Sequence, residues 1–278
     1  MISVAGIGDN TVDRYVEQGM MYPGGNAVNV AVHTRRLGHQ SAYIGCVGND
    51  QAGTLIYQSL VEEDVDVSRM RRMEGENAFC DIRLVDGDRV FGDYSAGMVD
   101  QLKLTASDLE FLSRFDLIHT SVYSFLDDAL AGIKASAKFL SYDFSNEWDE
   151  VSLAKVLPMV DFALLSNPVD DIQGNKDLMK WAAAQGAKLI MVTSGDQGAA
   201  VFDGKDLFFQ PIIPIENAID TLGAGDAFTA CFLSNYLEHV PIDAALKKAA
   251  QYAARACTQN GAFGHGTRYI NQQTNGGM

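Results

Sequence analysis

The sequence predicts an α/β protein in which helices cover both faces of a mostly parallel sheet, with a small β-layer standing off it. Three observations carry this. Short apolar runs of strand length alternate with helix-length stretches along most of the 278 residues. The segment 77–94 breaks that alternation and reads as a hairpin turned by Asp86-Gly87. A Gly-rich turn, Asp220-Thr-Leu-Gly-Ala-Gly-Asp226, leads straight into an apolar helix.

The elements follow in order. Ile2-Ser-Val-Ala-Gly-Ile-Gly8 has the composition of a buried strand. A helix is expected over 25–37, a strand over 41–46 and a helix over 52–63. Further strands fall at 117–120, 139–144, 162–165 and 188–193, with helices at 126–138 and 176–185. Strands separated by helices pair in parallel and are buried on both faces, which suits these continuous apolar runs. The hairpin at 77–94 joins 11–21 in the separate β-layer. Thr193-Ser-Gly-Asp-Gln-Gly198 turns into a strand at 199–202. After the Gly-rich turn, Phe228, Cys231, Phe232 and Tyr236 recur at the spacing of one buried helical face. The chain reads as one domain over 1–263 with a polar, Gly-rich tail at 264–278, expected to be partly disordered.

Composition narrows the function. The formal charge of −15 excludes nucleic acid and anionic membrane as main partners, since both require clustered Lys and Arg. Cys46, Cys80, Cys231 and Cys257 are scattered in apolar contexts, without a C-x-x-C pair or a His at metal-ligand spacing. They read as buried free thiols, which fits a reducing cytoplasm. The first residues have neither a basic n-region nor a long apolar core, and nothing reads as a membrane span.

The turn at 220–226 is the strongest chemical signal. Gly223 and Gly225 allow close backbone approach to a ligand, and a helix N-terminus offers N–H groups without internal partners. A carboxylate there opposes phosphate binding unless it touches a hydroxyl that attacks the phosphate. The turn therefore suggests phosphoryl transfer, with Ala224, Gly225 and Asp226 offering N–H groups to the growing charge and the Asp226 carboxylate accepting the proton. The helix N-terminus is expected to keep Asp226 ionised and weakly basic. Asp220 is expected to orient the loop or help hold a cation. The bland alternative is a helix start with Asp226 as its cap.

In Gly24-Gly-Asn-Ala-Val-Asn29, two glycines lead into a helix that sets Asn26, Asn29 and His33 on one face amid Val28, Val30, Ala31 and Val32. Asn both donates and accepts, which suits sugar hydroxyls, whereas His33 lies further along and reads as structural. Asp9 and Asp13 follow the first strand, where α/β sites gather, and are candidates to grip hydroxyls; a solvated turn is the alternative. Gly6-x-Gly8 lacks the third glycine of a dinucleotide fingerprint, because residue 11 is Thr.

These motifs, in this order, resemble the ribokinase-like (PfkB) carbohydrate kinase family over residues 2–263. The N-terminal signature is matched by Gly24-Gly-Asn-Ala-Val-Asn-Val-Ala31 and the C-terminal one by Asp220–Asp226. Within it the chain is similar to the members that phosphorylate fructosamines such as fructoselysine. That likeness rests on Gly8-Asp-Asn-Thr-Val-Asp13, the helix from Gly25, Asp88-Arg-Val-Phe-Gly-Asp-Tyr94, and Asp143-Phe-Ser145 with Trp148. The resemblance implies a Rossmann-like, three-layer α/β/α domain of ribokinase type, with 11–21 and 77–94 forming a β-sheet lid. It implies ATP as donor, Mg²⁺, a sugar or sugar-amine acceptor, a homodimer through the lids and, in many members, a monovalent cation such as K⁺ beside Asp220.

By the same resemblance Asp226 is the base and Gly223, Ala224 and Gly225 complete the anion hole. Asp9, Asp13, Gly25, Asn26 and Asn29 hold the sugar. Thr193, Gly195, Gly198, Asn260 and Asn167 fall on the nucleotide side. In the lid, Arg89 and Asp93 are candidates for the carboxylate and ammonium of an amino-acid arm, with Tyr94 packing the sugar. Two departures stand out. The family's Asn-x-x-Glu element reads Asn167-Pro-Val-Asp170, so a shorter carboxylate, Asp170, stands where the glutamate acts on magnesium through water. Its Asp-x-Asn-x-Arg reads Asp143-Phe-Ser-Asn-Glu147 and lacks the arginine. Three readings follow: a fructosamine 6-kinase, a kinase of the same family for fructose, ribose or a nucleoside, and a sugar-binding sensor without catalysis.

Overall fold

The computed structural model describes residues 1–85, 88–167 and 172–269; at 84, 85, 88, 89, 172 and 173 it describes the backbone alone. The expected turn at Asp86-Gly87, Asp170, the side chain of Arg89 and the tail beyond 269 lie outside the described residues.

The chain starts with β1 (Ser3–Ile7), then β2 (Thr11–Tyr15), β3 (Met20–Gly24), α1 (Asn26–Arg36), β4 (Gln40–Ile44), β5 (Cys46–Gly48) and α2 (Gln51–Glu62). Next come β6 (Arg71–Met73), β7 (Phe79–Val85), β8 (Asp88–Ser95), α3 (Ala106–Leu112), β9 (Leu117–Ser121), α4 (Leu130–Ser136) and β10 (Phe139–Asp143). The remainder is α5 (Glu150–Val156), β11 (Phe162–Ser166), α6 (Ile172–Ala184), β12 (Leu189–Thr193), β13 (Ala199–Phe202), β14 (Leu207–Gln210), α7 (Ala224–Leu237), α8 (Ile242–Ala256) and β15 (Thr267–Arg268).

Among the described residues eight strands form the main sheet, in the order β14-β13-β12-β11-β10-β9-β1-β4. From β4 to β12 every pairing is parallel, while β13 and β14 are antiparallel. From β1 the chain runs to β4 on one side and later to β9 on the other. That reversal opens a crevice at the carboxyl ends of β1 and β9, the place where open α/β sheets bind ligands.

One face of the sheet packs Leu112, Leu130, Ile133, Leu153, Val156 and Met179 from α3 to α6. The other packs Val30 of α1, the apolar side chains of α7, and Ala245, Leu246 and Ala249 of α8. A β-carbon on Gly6 would stand 2.2 Å from the Ala27 carbonyl oxygen, so this glycine lets α1 lie directly on β1. Gly6 thus serves packing rather than a dinucleotide. The strand expected over 41–46 divides at Gly45, where the backbone passes over the Tyr43 hydroxyl, and β5 pairs with β6 instead. The helix over 126–138 shortens to α4 behind a single 3-10 turn at Asp127–Ala129. Nor is α7 amphipathic: every residue from Asp226 to Ser234 is buried, because the helix lies between the sheet and its neighbours α1 and α8.

The lid is a second sheet, in the order β15-β3-β2-β7-β8. It contains both expected lid segments and adds β15 on β3. On one face Tyr15, Tyr22 and Ile82 form a small apolar cluster with Leu222 of the Gly-rich turn. On the other, Arg14 pairs with Asp81 at 2.5 Å and stacks on the Phe79 ring. At the far end of the main sheet Asp161 is buried, accepting from the Leu140 N–H at 2.9 Å and pairing with Lys134 and, at 2.8 Å, with Lys188.

Candidate active site

The crevice gathers carboxylates from four elements. Asp9 follows β1, Asp13 lies in β2, Asp143 ends β10 and Asp226 stands in the first turn of α7. Asp9, Asp13 and Asp226 are buried, whereas Asp143 is half-buried.

Asp9 is held by the loop after β9. Its Oδ1 accepts from the Ser121 hydroxyl at 2.8 Å, the Ser124 hydroxyl at 3.0 Å and the Ala27 N–H at 3.2 Å. A β-carbon on Gly25 would meet the Asn10 Cα at 2.6 Å and Asp9 Oδ2 at 3.0 Å. One on Gly24 would lie 2.5 Å from Asp13 Oδ2. The paired glycines therefore admit two protein carboxylates, a use beyond the ligand approach expected of them.

Helix α1 positions two more. Asn26 Nδ2 donates to Asp143 Oδ2 at 3.0 Å, and one turn further Asn29 Nδ2 donates to Asp226 Oδ2 at 2.7 Å. Asn29 Oδ1 is buried and without a hydrogen-bond partner. His33, another turn on, reaches the Tyr252 hydroxyl of α8 at 3.2 Å, and burial together with Arg36 pushes it down to about 4. It is a neutral structural residue, as expected.

Two expectations for the turn change. Burial pushes the Asp226 carboxyl well above the ordinary carboxylate range, Asp143, Asp9 and Asp13 add to this, and the Asn29 hydrogen bond opposes it. Asp226 is thus more basic than its place at a helix N-terminus suggested, because burial and three like charges outweigh a half-charge of dipole. The Ala224 N–H donates to the Thr221 carbonyl at 3.2 Å, so of the three expected donors Gly225 and Asp226 remain. A β-carbon on Gly225 would meet nothing within 4 Å, so the helix end is open there. Gly223 has φ +72°, and a β-carbon would lie 2.4 Å from that of Ala262.

Asp220 fastens this turn. Its Oδ1 accepts from the Leu222 N–H at 3.0 Å, and its Oδ2 from the Gly261 N–H at 2.9 Å and from the Tyr15 hydroxyl. The loop-orienting expectation matches these contacts, and Tyr15 is a partner the sequence did not suggest. Asp143 was also missed as a site residue, although a carboxylate at the carboxyl end of a strand was a legible signal. Burial, chiefly, and Asp9 push Asp143 up to about 6, against hydrogen bonds from the Ser145 N–H and Asn26.

The nucleotide-side candidates lie apart from this cluster, at the carboxyl ends of β11 and β12. Asn167 donates to Asn175 at 2.6 Å, Thr193 lies 3.3 Å from the Ser166 hydroxyl, and Gly195 and Gly198 bound the turn into β13. Asn260 is exposed beside Gly261. In the lid, Asp93 and Tyr94 are exposed on the edge strand β8, so neither closes over the cluster within one chain. Among the described residues no group of three or more His, Cys, Asp or Glu could hold a metal ion, and no helix is long and apolar enough to cross a membrane.

The model of the pfkB family of carbohydrate kinases matches residues 1–264. This chain belongs to the pfkB family. The kinase is 40% identical over 269 residues to fructosamine kinase FrlD of Bacillus subtilis, covering 95% of this chain and 93% of that one. It is 36% identical over 263 residues to fructoselysine 6-kinase of Escherichia coli, covering 95% and 100%. Its fold matches Arabidopsis thaliana ribokinase, solved with ribose and ATP, at a TM-score of 0.81 and 19% identity over 94% of both chains. A fructokinase of Xylella fastidiosa, solved with ATP, matches at 0.77 and 22%, again over 94% of both. The chain is thus an ATP-dependent carbohydrate kinase of ribokinase-like fold.

Proposed function

We propose that this kinase phosphorylates the 6-hydroxyl of fructoselysine or a related fructosamine, with Asp226 as base and the start of α7 as anion hole. The observation that carries the mechanism is Asp226 itself: a buried carboxylate, made basic by its neighbours and fixed by Asn29, beside the open N–H groups of Gly225 and its own. The acceptor rests on the likeness to a fructosamine kinase and a fructoselysine 6-kinase.

In this reading Asp9, Asp13, Gly25, Asn26 and Asn29 orient the sugar so that its 6-hydroxyl reaches Asp226. Asp226 holds the proton released as the phosphoryl group arrives, and the Gly225 and Asp226 N–H groups meet the charge on that group. ATP supplies the phosphoryl group, on the side of Thr193, Gly195, Gly198, Asn167 and Asn260. Mg²⁺ fits as the companion of the ATP phosphates, since it takes phosphate and water oxygens with one or two carboxylates and needs no protein cage. A monovalent cation such as K⁺ near Asp220 belongs to the same proposal, and exchanging KCl for choline chloride in the assay tests it. Val90, Phe91 and Tyr94 are 47, 63 and 81% exposed on β8, which supports a homodimer covering the lid and bringing Arg89, Asp93 and Tyr94 over a site. Phe91→Asp should shift the chain to monomer in light scattering. The buried free thiols Cys46 and Cys231 suit a reducing cytoplasm.

A panel of fructoselysine, fructose, ribose and a nucleoside at fixed ATP tests the acceptor; fructose turned over as well as fructoselysine would replace this reading with the broader one. Asp226→Asn should lower turnover by about three orders of magnitude or more while sugar binding survives. Near-normal turnover would remove Asp226 as base. Wild-type protein that binds sugar but turns over no ATP would be the sensor.

A further inference from the structure

The carboxylate cluster carries more negative charge than sugar hydroxyls require. Among the described residues no Lys or Arg forms an ion pair with Asp9, Asp143 or Asp226, and no cation appears among the groups that set their proton affinities. The loop that follows Asp143 adds Glu147, exposed, rather than a compensating base. Burying like charges without a counter-ion is costly, and a protein that keeps them supplies the cation with its ligand.

The members of the cluster differ in access. Asp9, Asp13 and Asp226 are buried, and Asp9 Oδ1 is already taken by three donors. Asp143 keeps part of its surface open, although Asn26 and the Ser145 N–H hold its orientation. Beside it, Tyr123 is 40% exposed, and it lies within electrostatic reach of Asp143 and Asp9. The loop is rigid where it carries Tyr123, because the Ser121 hydroxyl accepts the Tyr123 N–H at 3.2 Å. A carboxylate next to an aromatic ring is the recognition chemistry of an organic ammonium. An independent sign that ligand atoms belong here is Asn29 Oδ1: Asn29 is only 4% exposed, its amide nitrogen is bound to Asp226, and this acceptor has no donor.

The helix sets the arrangement. Asn26 and Asn29 are one turn apart on α1, so the carboxylates they hold lie side by side along one helix face rather than at one point. A ketose furanose presents its 6-hydroxyl and the substituent on its first carbon from opposite sides of the ring. With the hydroxyl at Asp226, the first-carbon substituent falls toward Asp143.

We propose that Asp143 is the counter-ion, and Tyr123 the aromatic wall, for the secondary ammonium that joins the sugar to its amino-acid arm. This deepens the fructosamine reading and rests on it. It also takes the ammonium from Asp93, which stands exposed on the lid edge.

The test compares three acceptors on the wild-type kinase: fructoselysine, an analogue with an ether oxygen in place of the secondary amine, and fructose. The ether should lose about 30-fold or more in kcat/KM relative to fructoselysine. Asp143→Asn should lose about 30-fold more in kcat/KM on fructoselysine than on the ether or fructose, and so abolish the preference. Tyr123→Leu should weaken fructoselysine selectively and by less. Ether and amine used equally well by the wild type, or an Asp143→Asn loss equal on all three acceptors, overturns the inference. The wild-type comparison stands even where a variant folds poorly. Wild-type protein that phosphorylates fructose but not fructoselysine removes the fructosamine reading itself, a different result from a kinase that accepts fructoselysine and its ether alike.

Discussion

Asn29→Leu tests how the proposed base is tuned. Leucine keeps much of the volume and the helical backbone of α1 but removes the donor 2.7 Å from Asp226 Oδ2. That hydrogen bond draws the Asp226 carboxyl down, whereas burial, Asp143, Asp9 and Asp13 push it up. A hydrogen bond to an ionised carboxylate is worth about 1.5–3 kcal/mol, and about 1.4 kcal/mol corresponds to one pKa unit. Its loss disfavours the ionised form, so the proton affinity of Asp226 rises by about 1–2 units. The acidic limb of kcat/KM for the free enzyme should move to higher pH by the same amount. Below that limb the variant falls roughly a further 10- to 100-fold behind the wild type, and raising the pH recovers this part, leaving the pH-independent loss of the Asn29 contact with the sugar. The assay is a pH–rate profile at subsaturating acceptor and fixed ATP, with circular dichroism to establish folding. A limb within about 0.3 units of the wild type, or a loss of equal size at every pH, would falsify the argument that Asn29 acts through the Asp226 charge.

Gly223→Ala should cut kcat by about 100-fold or more, because its β-carbon would press on Ala262 and displace the turn, whereas Gly195→Ala, with positive φ but open space, should cost only about 1 kcal/mol of stability. Asp143→Asn should raise Tm by a few degrees at pH 7.5: a carboxyl raised to about 6 contributes stability that is complete below its unfolded value near 3.8 and lost as pH rises through 6. The advantage, about 1–2 kcal/mol after discounting for solvent, should vanish by pH 4 in paired melts. Asp161→Ala should lower stability by about 1–3 kcal/mol in urea titrations, since it orphans the Leu140 N–H and frees Lys134 and Lys188. Burial pushes the Asp161 carboxyl up, but hydrogen bonds from the two lysines and Leu140 outweigh this and hold it below its ordinary value. Its contribution is present above about pH 4 and is lost as pH falls through the lower folded value, so the penalty should shrink in acid.

Much of the site was legible because it is written in local patterns. Asp9 after a strand, Asn26 and Asn29 three residues apart, and Asp226 at a helix start each announce themselves within a dozen residues. What stayed hidden depends on pairs distant in the chain. Asn26 and Asp143 are 117 residues apart, Tyr15 and Asp220 are 205, and no spacing rule joins them. The basicity of Asp226 was misread for the same reason: its dipole belongs to its own helix, but the stronger influences arrive from β1, β2 and β10. Likewise Phe228, Cys231, Phe232 and Tyr236 gave the period of a one-sided helix, while the burial of the intervening Thr229, Ala230 and Leu233 depends on α1 and α8. The Asp-x-Asn-x-Arg departure was visible in sequence, yet its meaning needed the unpaired charge around Asp143.

The pairing of β15 with β3 bears on how the chain reaches this fold. Met20 and Met21 lie far from Thr267 and Arg268 in sequence, yet they are neighbours in one sheet, with Tyr269 beyond them against Arg14. A chain lacking 267–269 carries a lid in which β3 is left as an unpaired edge, without that ring over its arginine. Contacts between such remote segments close slowly, because the loop entropy is lost before the pairing is gained. The lid should therefore be the last unit to acquire protection in pulsed hydrogen exchange during refolding. A chain cut after residue 266 should fold its main sheet while its lid remains open to proteases.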